Sequence, residues 1–283
     1  MIDLHAHTHF SDGTDTPEAL ALAADEAGLE ALALTDHDTV DGLPRFLGMQ
    51  PKVKARLIPG TELSCRFLGR SLHVLGLFVD PSDRRFQSRL AEFRESRDER
   101  NLRMIARLNG LGVPLTLAQV DAQRAGVVAS RVHMALALVQ LGAVKSVPEA
   151  FNRYLADHAP GYVPRRELDP PTAARWIWEA GGLPLIAHPG RFAGRGFGWD
   201  EAMADLQRAG MAGFEAYYGE YGPAEQAYFL DLAARKGMAP SGGSDYHGAN
   251  KPGLRLGVGR GRLRVPAAIL DDLESARIRG TWC

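Results

Sequence analysis

Residues able to bind metals occur in this chain almost wherever a short apolar run ends, and that coincidence constrains its fold more than any other feature. Ile2-Asp3-Leu4 leads to His5 and His7, Leu32-Ala33-Leu34-Thr35 to Asp36, His37 and Asp38, and Leu57-Ile58-Pro59-Gly60 to Glu62. Farther on, the run 183–187 leads to His188-Pro189-Gly190-Arg191, and 241–244 to Asp245 and His247. Helical signals lie between the runs: Thr16 is an N-cap with Pro17 at N1, and that helix stops at Gly28. Strand, loop and helix repeat through residues 1–80 and again after Pro171, the rhythm of an α/β architecture with a largely parallel sheet. In a parallel barrel the strand ends of one polarity share one mouth, so side chains distant in sequence meet there.

The His5-x-His7 spacing puts two imidazoles on one face of a strand, within reach of one ion. Imidazole suits manganese, iron, zinc and nickel, and carboxylates add hard oxygen ligands that bridge two ions. Six histidines with Asp12, Glu62 and Asp245 exceed what one tetrahedral ion with an open position takes, whereas two or three ions would use them all. His73 stands at the start of the run 72–79, where the residues alone give a core or edge histidine. Asp3, Asp36 and Asp38 flank ligand histidines, either accepting the second imidazole N–H or forming turns and caps. His9 and His158 fall on loops and match no ligand position.

From 81 to 170 the strand rhythm stops. A long amphipathic helix is expected over 82–111, with Phe86, Leu90, Phe93, Leu102, Ile105 and Leu108 at helical spacing, and shorter helices over 117–124, 131–141 and 147–157. This block reads as a helical insertion or small second domain. Its arginines, Arg97 and Arg100 among them, interleave with Glu92, Glu95, Asp98 and Glu99 and predict a mostly solvated, salt-bridged face rather than the alternative, an RNA track. Ser130 caps a helix start with Arg131 and His133 beside it, an anion site, and Arg191 follows His188 at the mouth.

A chain of 283 residues, 45% hydrophobic, buries a core sufficient for one large domain or two medium ones. Its formal net charge of -1 argues against a nucleic-acid binder that is basic over its whole surface. Cys65 and Cys283 are too few for a disulfide framework or a four-thiolate zinc site, which leads us to expect a reducing, cytoplasmic setting. No apolar run approaches the roughly 18 residues of a membrane span, and no basic-then-apolar leader pattern opens the chain.

In order, Asp3-Leu4-His5-Ala6-His7, Ser11-Asp12-Gly13, Thr35-Asp36-His37-Asp38, Gly60-Thr61-Glu62, His73-Val74-Leu75-Gly76, Ala187-His188-Pro189-Gly190-Arg191 and Ser244-Asp245-Tyr246-His247 resemble the motifs of a known family. It is the PHP (polymerase and histidinol phosphatase) family of metal-dependent phosphoesterases. The chain is similar in particular to its stand-alone branch of 3′,5′-nucleoside bisphosphate phosphatases, where a helical insertion also separates early from late motifs. The resemblance implies a distorted (β/α)7 TIM-like barrel from residues 1–80 and 171–283, with residues 81–170 as a helical insertion contributing to substrate binding. It implies three divalent ions, often Mn2+, with Fe2+, Zn2+ or Mg2+ as alternatives. One ion would take His5, His7, Glu62 and Asp245; a second would share Glu62 and add His73 and His188; the third would take Asp12, His37 and His247. Only the resemblance makes His73 a ligand. Asp12 stands where some relatives carry histidine, which gives the third site harder character.

Glu62, Asp245 and His37 are then the candidate catalytic residues, and Ser130, Arg131, His133 and Arg191 the candidate substrate contacts. The expected reaction is phosphomonoester hydrolysis, in which hydroxide bridging the ions that share Glu62 attacks phosphorus in line. A nucleotide held by its 5′-phosphate would lose its 3′-phosphate, as in adenosine 3′,5′-bisphosphate to AMP. Alternatives are a 5′-to-3′ exonuclease on short RNA, another PHP phosphatase such as one acting on histidinol phosphate, and a metal-dependent amidohydrolase on a related barrel. A non-catalytic, metal-stabilised binding module is the alternative from a different class. The expected partner is a small anionic nucleotide or short RNA, with no membrane and no obligate protein partner.

Overall fold

The computed structural model describes residues 1–123, 128–164 and 167–280. Cys283 and Arg124, where the expected 117–124 helix ends, lie outside the described residues. Seven strands form one sheet in chain order: β1 (Ile2–Asp3), β2 (Ala31–Leu34), β3 (Arg56–Phe67), β4 (Arg70–Leu77), β5 (Leu183–Ile186), β6 (Gly213–Tyr218) and β7 (Ala239–Gly243). β2 and β5 are four-residue apolar runs buried throughout, as strands covered on both faces must be. The two ends of the sheet join through backbone hydrogen bonds from Leu4 N–H to Gly242 O (3.1 Å), Asp245 N–H to His5 O (2.9 Å) and His7 N–H to Tyr246 O (2.8 Å). This closure lays the His5 and His7 segment beside that of Asp245 and His247. The result is the distorted TIM-like barrel that the motif order implies.

Local chemistry sets the helix limits. α1 (Pro17–Glu26) begins with Thr16 Oγ1 accepting the Ala19 N–H, and the chain leaves the helix through Gly28 at φ 66°. α2 (Leu43–Leu47) follows β2. In the second half α7 (Pro170–Glu179), α8 (Pro189–Phe192), α9 (Trp199–Arg208), α10 (Pro223–Lys236) and α11 (Ala268–Arg279) restore the alternation with strands.

The sheet departs from the parallel expectation at one strand. β4 runs antiparallel to both β3 and β5, reached from β3 by a turn whose Leu68 and Gly69 have φ of 46° and 73°. Its beginning, not its end, therefore lies at the mouth, and His73 pairs across from Ser64 of β3.

Between β4 and β5 lie α3 (Arg84–Gly110), α4 (Leu117–Asp121), α5 (Arg131–Gln140) and α6 (Val147–Ala150). Phe86, Leu90 and Phe93 of α3 pack into the barrel's outer core, whereas its Met104, Ile105 and Leu108 join Val120, Met134, Leu138 and Ala150 in a separate cluster. One helix thus spans both cores. The helix expected over 147–157 ends early: α6 gives way to a π-helical turn, Phe151–Leu155. Among the described residues no helix is long and apolar enough to cross a membrane.

Barrel closure rests on a missing side chain. A Cβ at Gly243 would lie 2.4 Å from His5 Cβ, 2.5 Å from His5 N and 2.9 Å from Asp3 Oδ1. Gly243→Ala is expected to destabilise the fold by about 1–3 kcal/mol, measured by urea denaturation; an unchanged midpoint would refute the close approach.

Candidate active site

All nine ligand candidates converge at the barrel mouth. Glu62 Oε2 lies 3.2 Å from His5 Nε2, His7 Nε2 and His37 Nδ1 alike. Its Oε1 lies 2.9 Å from His73 Nδ1 and 3.0 Å from His188 Nε2. Asp245 Oδ1 stands 3.6 Å from both His5 Nε2 and His7 Nε2, and Asp12 Oδ1 3.2 Å from His247 Nε2. The donor atoms fall into four groups, each within 4.8 Å: His7, Asp12, His37 and His247; His5, His7 and Asp245; His5, Glu62 and His188; His37, Glu62 and His73. Adjacent groups share residues, as ligands of bridged ions do.

This donor set fits divalent cations. His5 Nε2 and His7 Nε2 face one another at 3.0 Å, and the buried His37 Nδ1 has no hydrogen-bond partner. Nitrogen lone pairs and carboxylate oxygens directed at common points are satisfied together by a cation. Burial lowers the pKa of His7, His37 and His188, the last to about 4, which keeps these imidazoles neutral and able to ligate. Burial pushes Asp12 and Glu62 upward, but the imidazoles around them, His37 foremost, hold both well below the usual carboxylate range. Asp245 is likewise held down against burial, chiefly by Lys251. His5 moves the other way: against burial, Glu215, Glu62 and Asp245 hold it well above its ordinary value, so positive charge is favoured at that point.

Glu215, which sequence reasoning missed, contacts two of the ligand candidates at once. Its Oε1 lies 3.0 Å from His5 Nδ1, and its Oε2 accepts the His188 backbone N–H at 2.6 Å. A carboxylate inside the buried strand Gly-Phe-Glu-Ala-Tyr-Tyr was the available signal. Of the two roles open to Asp3, Asp36 and Asp38, the hydrogen bonds seen are those of backbone and hydroxyl anchors. Asp3 accepts the N–H groups of His5 (3.2 Å), Ser244 (2.9 Å) and Gly257 (2.7 Å). Asp36 accepts the Thr8 N–H (2.8 Å) and the hydroxyls of Thr8 and Ser11 (2.6 Å each). Asp38 accepts the Ser64 N–H at 2.8 Å and its hydroxyl at 3.0 Å. Backbone beside the site is unusual, Asp38, His188 and Asp245 having φ of 52°, 28° and 56°, and Asp3 and Glu215 fix the segments of Asp245 and His188 through the Ser244 and His188 N–H groups.

The ligand cluster forms part of the wall of a cavity of about 680 Å³. Outside the ligand set that wall carries Arg97, Arg100, Arg131, Arg191, Lys251 and Arg260 against two carboxylates, Glu167 and Glu220. Lys251 Nζ lies 2.5 Å from Asp245 Oδ2, the Tyr218 hydroxyl donates to the same oxygen at 2.6 Å, and Arg191 Nη1 stands 3.5 Å away. Ser130 and Arg131 line the insertion side, with Arg131 donating to Leu155 O at 3.0 Å and Asp157 Oδ1 at 2.8 Å. His133 is buried, and its Nδ1 accepts the Ser130 N–H at 3.0 Å as part of the helix cap. His9 Nδ1 is 3.2 Å from Asp15 O.

Arg97 and Arg100 contradict the solvated face that the charge pattern predicts, being 6% and 3% exposed. Alternating charges describe a helix on average and do not say which side meets a neighbour. Lys251 and Arg260 sit in a glycine-rich loop segment where no periodicity marks them.

The model of the PHP domain family matches residues 3–108. The 3′,5′-nucleoside bisphosphate phosphatase of Chromobacterium violaceum is 33% identical over 98% of this chain and 98% of its own length. A 5′-3′ exoribonuclease of Haemophilus influenzae is 32% identical over 87% of this chain and 89% of its own. Among solved structures, a chain assigned as a metal-dependent phosphoesterase from Bifidobacterium adolescentis superposes with a TM-score of 0.86 at 29% identity, covering 97% of this chain and 96% of that one.

Two outcomes follow for metal binding. Manganese added to the metal-stripped chain is expected to raise its thermal midpoint, since a ligand at 100 times its Kd contributes about 2.7 kcal/mol. Glu215→Gln is expected to weaken that affinity about 10- to 100-fold with the fold retained, read by metal titration and circular dichroism; unchanged affinity would remove Glu215 from the site.

Proposed function

The chain belongs to the PHP family of metal-dependent phosphoesterases, and on that premise we propose that it removes the 3′-phosphate from 3′,5′-bisphosphonucleotides, as in adenosine 3′,5′-bisphosphate to AMP. One observation carries this reading: among the described residues the cavity that the ligand cluster helps to line carries six cationic side chains against two carboxylates outside that cluster. Such a wall selects an anion with charge beyond the reacting group. The relative from Chromobacterium violaceum, similar over nearly its whole length, supports the same substrate class.

Divalent ions, three Mn2+ in this proposal, would acidify water at the cluster and neutralise charge on the attacking and leaving oxygens. The chain's own residues supply the rest. Glu62 presents its two oxygens to different histidine groups, and Glu215 fixes His5 and His188 so that the ligands are preorganised. Arg191 and Lys251, beside Asp245, face the reacting phosphoryl oxygens. On the insertion side Arg131, held by Asp157, and the Ser130-capped start of α5 receive the 5′-phosphate, with His133 keeping that cap in place. Residues 81–170 thereby act as the substrate-binding insertion. A cytoplasmic setting, where such nucleotides and reduced Cys65 coexist, belongs to the same proposal.

A second reading, 5′-to-3′ exonucleolytic removal of nucleotides from short RNA, uses the same groups and is favoured by the relative from Haemophilus influenzae. Both require a 5′-phosphate one nucleoside away from the reacting phosphorus.

Phosphate release with manganese is expected from adenosine 3′,5′-bisphosphate and not from adenosine 5′-monophosphate. Glu62→Ala is expected to abolish it, and Arg131→Ala to raise KM for the bisphosphate about 10-fold or more. Equal turnover of both nucleotides would overturn the regiochemistry. AMP released from 5′-phosphorylated RNA, without phosphate released from the bisphosphate, would establish the second reading instead.

A further inference from the structure

Three of the candidate ligand imidazoles are held through a contact at Nδ1: His5 with Glu215 Oε1 at 3.0 Å, His247 with Asp245 O at 2.8 Å and His7 with Ser11 Oγ at 3.4 Å. Contacts of this kind set the orientation and tautomer of a ligand ring. His37 is held differently. Its buried Nδ1 has no hydrogen-bond partner, and its Nε2 stands 3.8 Å from Asp12 Oδ2. The rings it packs against, His7 and His73, are ligand candidates themselves. The place of the His37 imidazole is therefore set largely by the backbone that carries it.

That backbone is gripped from two sides. On the barrel side the Glu62 N–H donates to Asp36 O at 3.1 Å and the Asp38 N–H to Glu62 O at 3.0 Å, so His37 lies between two bonds to the strand that carries Glu62. On the other side stands α3, the first helix of the insertion. Its Arg94 donates from Nη1 to Asp38 O at 3.1 Å and places Nη2 3.5 Å from Asp41 Oδ2. Its Arg97 donates from Nη2 to the Asp38 carboxylate and, at 3.1 Å, to Ser64 Oγ. Three residues apart, the two arginines share one face of the helix, and Phe93 beside them is anchored in the barrel's outer core. Arg97 and Asp38 are both buried, and Asp38 has φ 52°, a conformation that persists only where surroundings over-determine it.

We propose that Arg94 and Arg97 are positioning residues for the metal centre: acting through Asp38, they place His37 and so set the affinity of the ion assigned to Asp12, His37 and His247. Neither arginine belongs to the donor groups. A buried ion pair is weak as a source of net stability, and the worth of this one lies in the geometry it imposes one residue from a ligand. The inference rests on the reading of the cluster as a metal centre and deepens it. The insertion, beyond receiving substrate, braces a coordination sphere to which it supplies no ligand.

Metal binding, not turnover, tests it. Manganese is titrated into the metal-stripped chain and its variants, with free Mn2+ read by electron paramagnetic resonance. His37→Ala marks the class of ion that depends on His37. Arg94→Met and Arg97→Gln are each expected to weaken that class about 10- to 100-fold and to leave the other ions unchanged, with Arg94→Lys recovering part of the loss. In the His37→Ala background the same substitutions are expected to cost no further manganese affinity. Asp38→Asn keeps an acceptor for the Ser64 N–H and a residue type that tolerates positive φ; it is expected to match Arg97→Gln and serves if that variant does not fold. Unchanged affinity in the folded variants would overturn the proposal, as would wild-type manganese binding indifferent to His37→Ala. A loss spread evenly over all ions, or repeated in full without His37, would mark a general loosening of the fold and overturn it equally. Absence of phosphate release from the bisphosphate by the manganese-loaded wild type would overturn the proposed function alone.

Discussion

One carboxylate holds the architecture to account. Both oxygens of Glu62 face imidazoles, three at 3.2 Å from Oε2 and two within 3.0 Å of Oε1. Those five histidines arrive from the segment after β1, the end of β2, the start of β4 and the end of β5. No local structure satisfies all of them. The sheet must close, β4 must reverse, and each loop must leave its strand at a fixed angle before Glu62 has the neighbours that keep it ionised while buried.

That requirement accounts for three of the six non-glycine residues at positive φ among the described residues. Asp38, His188 and Asp245 adopt positive φ without being glycine, at or beside ligands in three separate loops. Conformations of this kind persist only where surroundings over-determine them. The buried carboxylates supply that constraint by taking backbone donors: Asp38 takes Ser64, Glu215 takes His188, and Asp3 takes Ser244 just before Asp245. Carboxylates that look catalytic in the sequence are thus divided between those grouped with imidazoles, as Glu62, Asp12 and Asp245 are, and those holding loops. The division follows from whether donors or lone pairs surround each one.

Much of the barrel and most of the ligand set were legible because they obey a simple rule: a parallel strand ends in a ligand. Glu62 was found because the apolar run before it stops at Gly60, although β3 itself continues through Glu62 to Phe67. His5, His7, His37, His188, Asp245 and His247 follow the rule. His73 does not, because β4 is antiparallel and brings its beginning to the mouth, a reversal that a run of β-formers does not encode. Glu215 was missed because it lies within a strand rather than at its end, and its meaning depends on His5 being alongside. Arg97 and Arg100 were misjudged for a related reason. Their charge pattern is that of any solvated helix, and burial arises only from packing between α3 and elements distant in sequence.

The formal charge of -1 conceals the feature that matters for ligands. Around the cavity, carboxylates concentrate in the ligand cluster while cations occupy the surrounding wall in two places, Lys251, Arg191 and Arg260 on the barrel side and Arg97, Arg100 and Arg131 on the insertion side. The carboxylates of the cluster would be neutralised by the ions they hold. What then remains is a mainly positive wall with two centres, opposed by Glu167 and Glu220, and such a wall attracts anions most strongly when the ligand's charges are spaced to match. The barrel mouth alone presents only one of the two centres, and the proposed function gives the other to the insertion. The second requires α3 to leave the barrel core at Phe93 and carry its next turns, Arg97 and Arg100 included, over the opening.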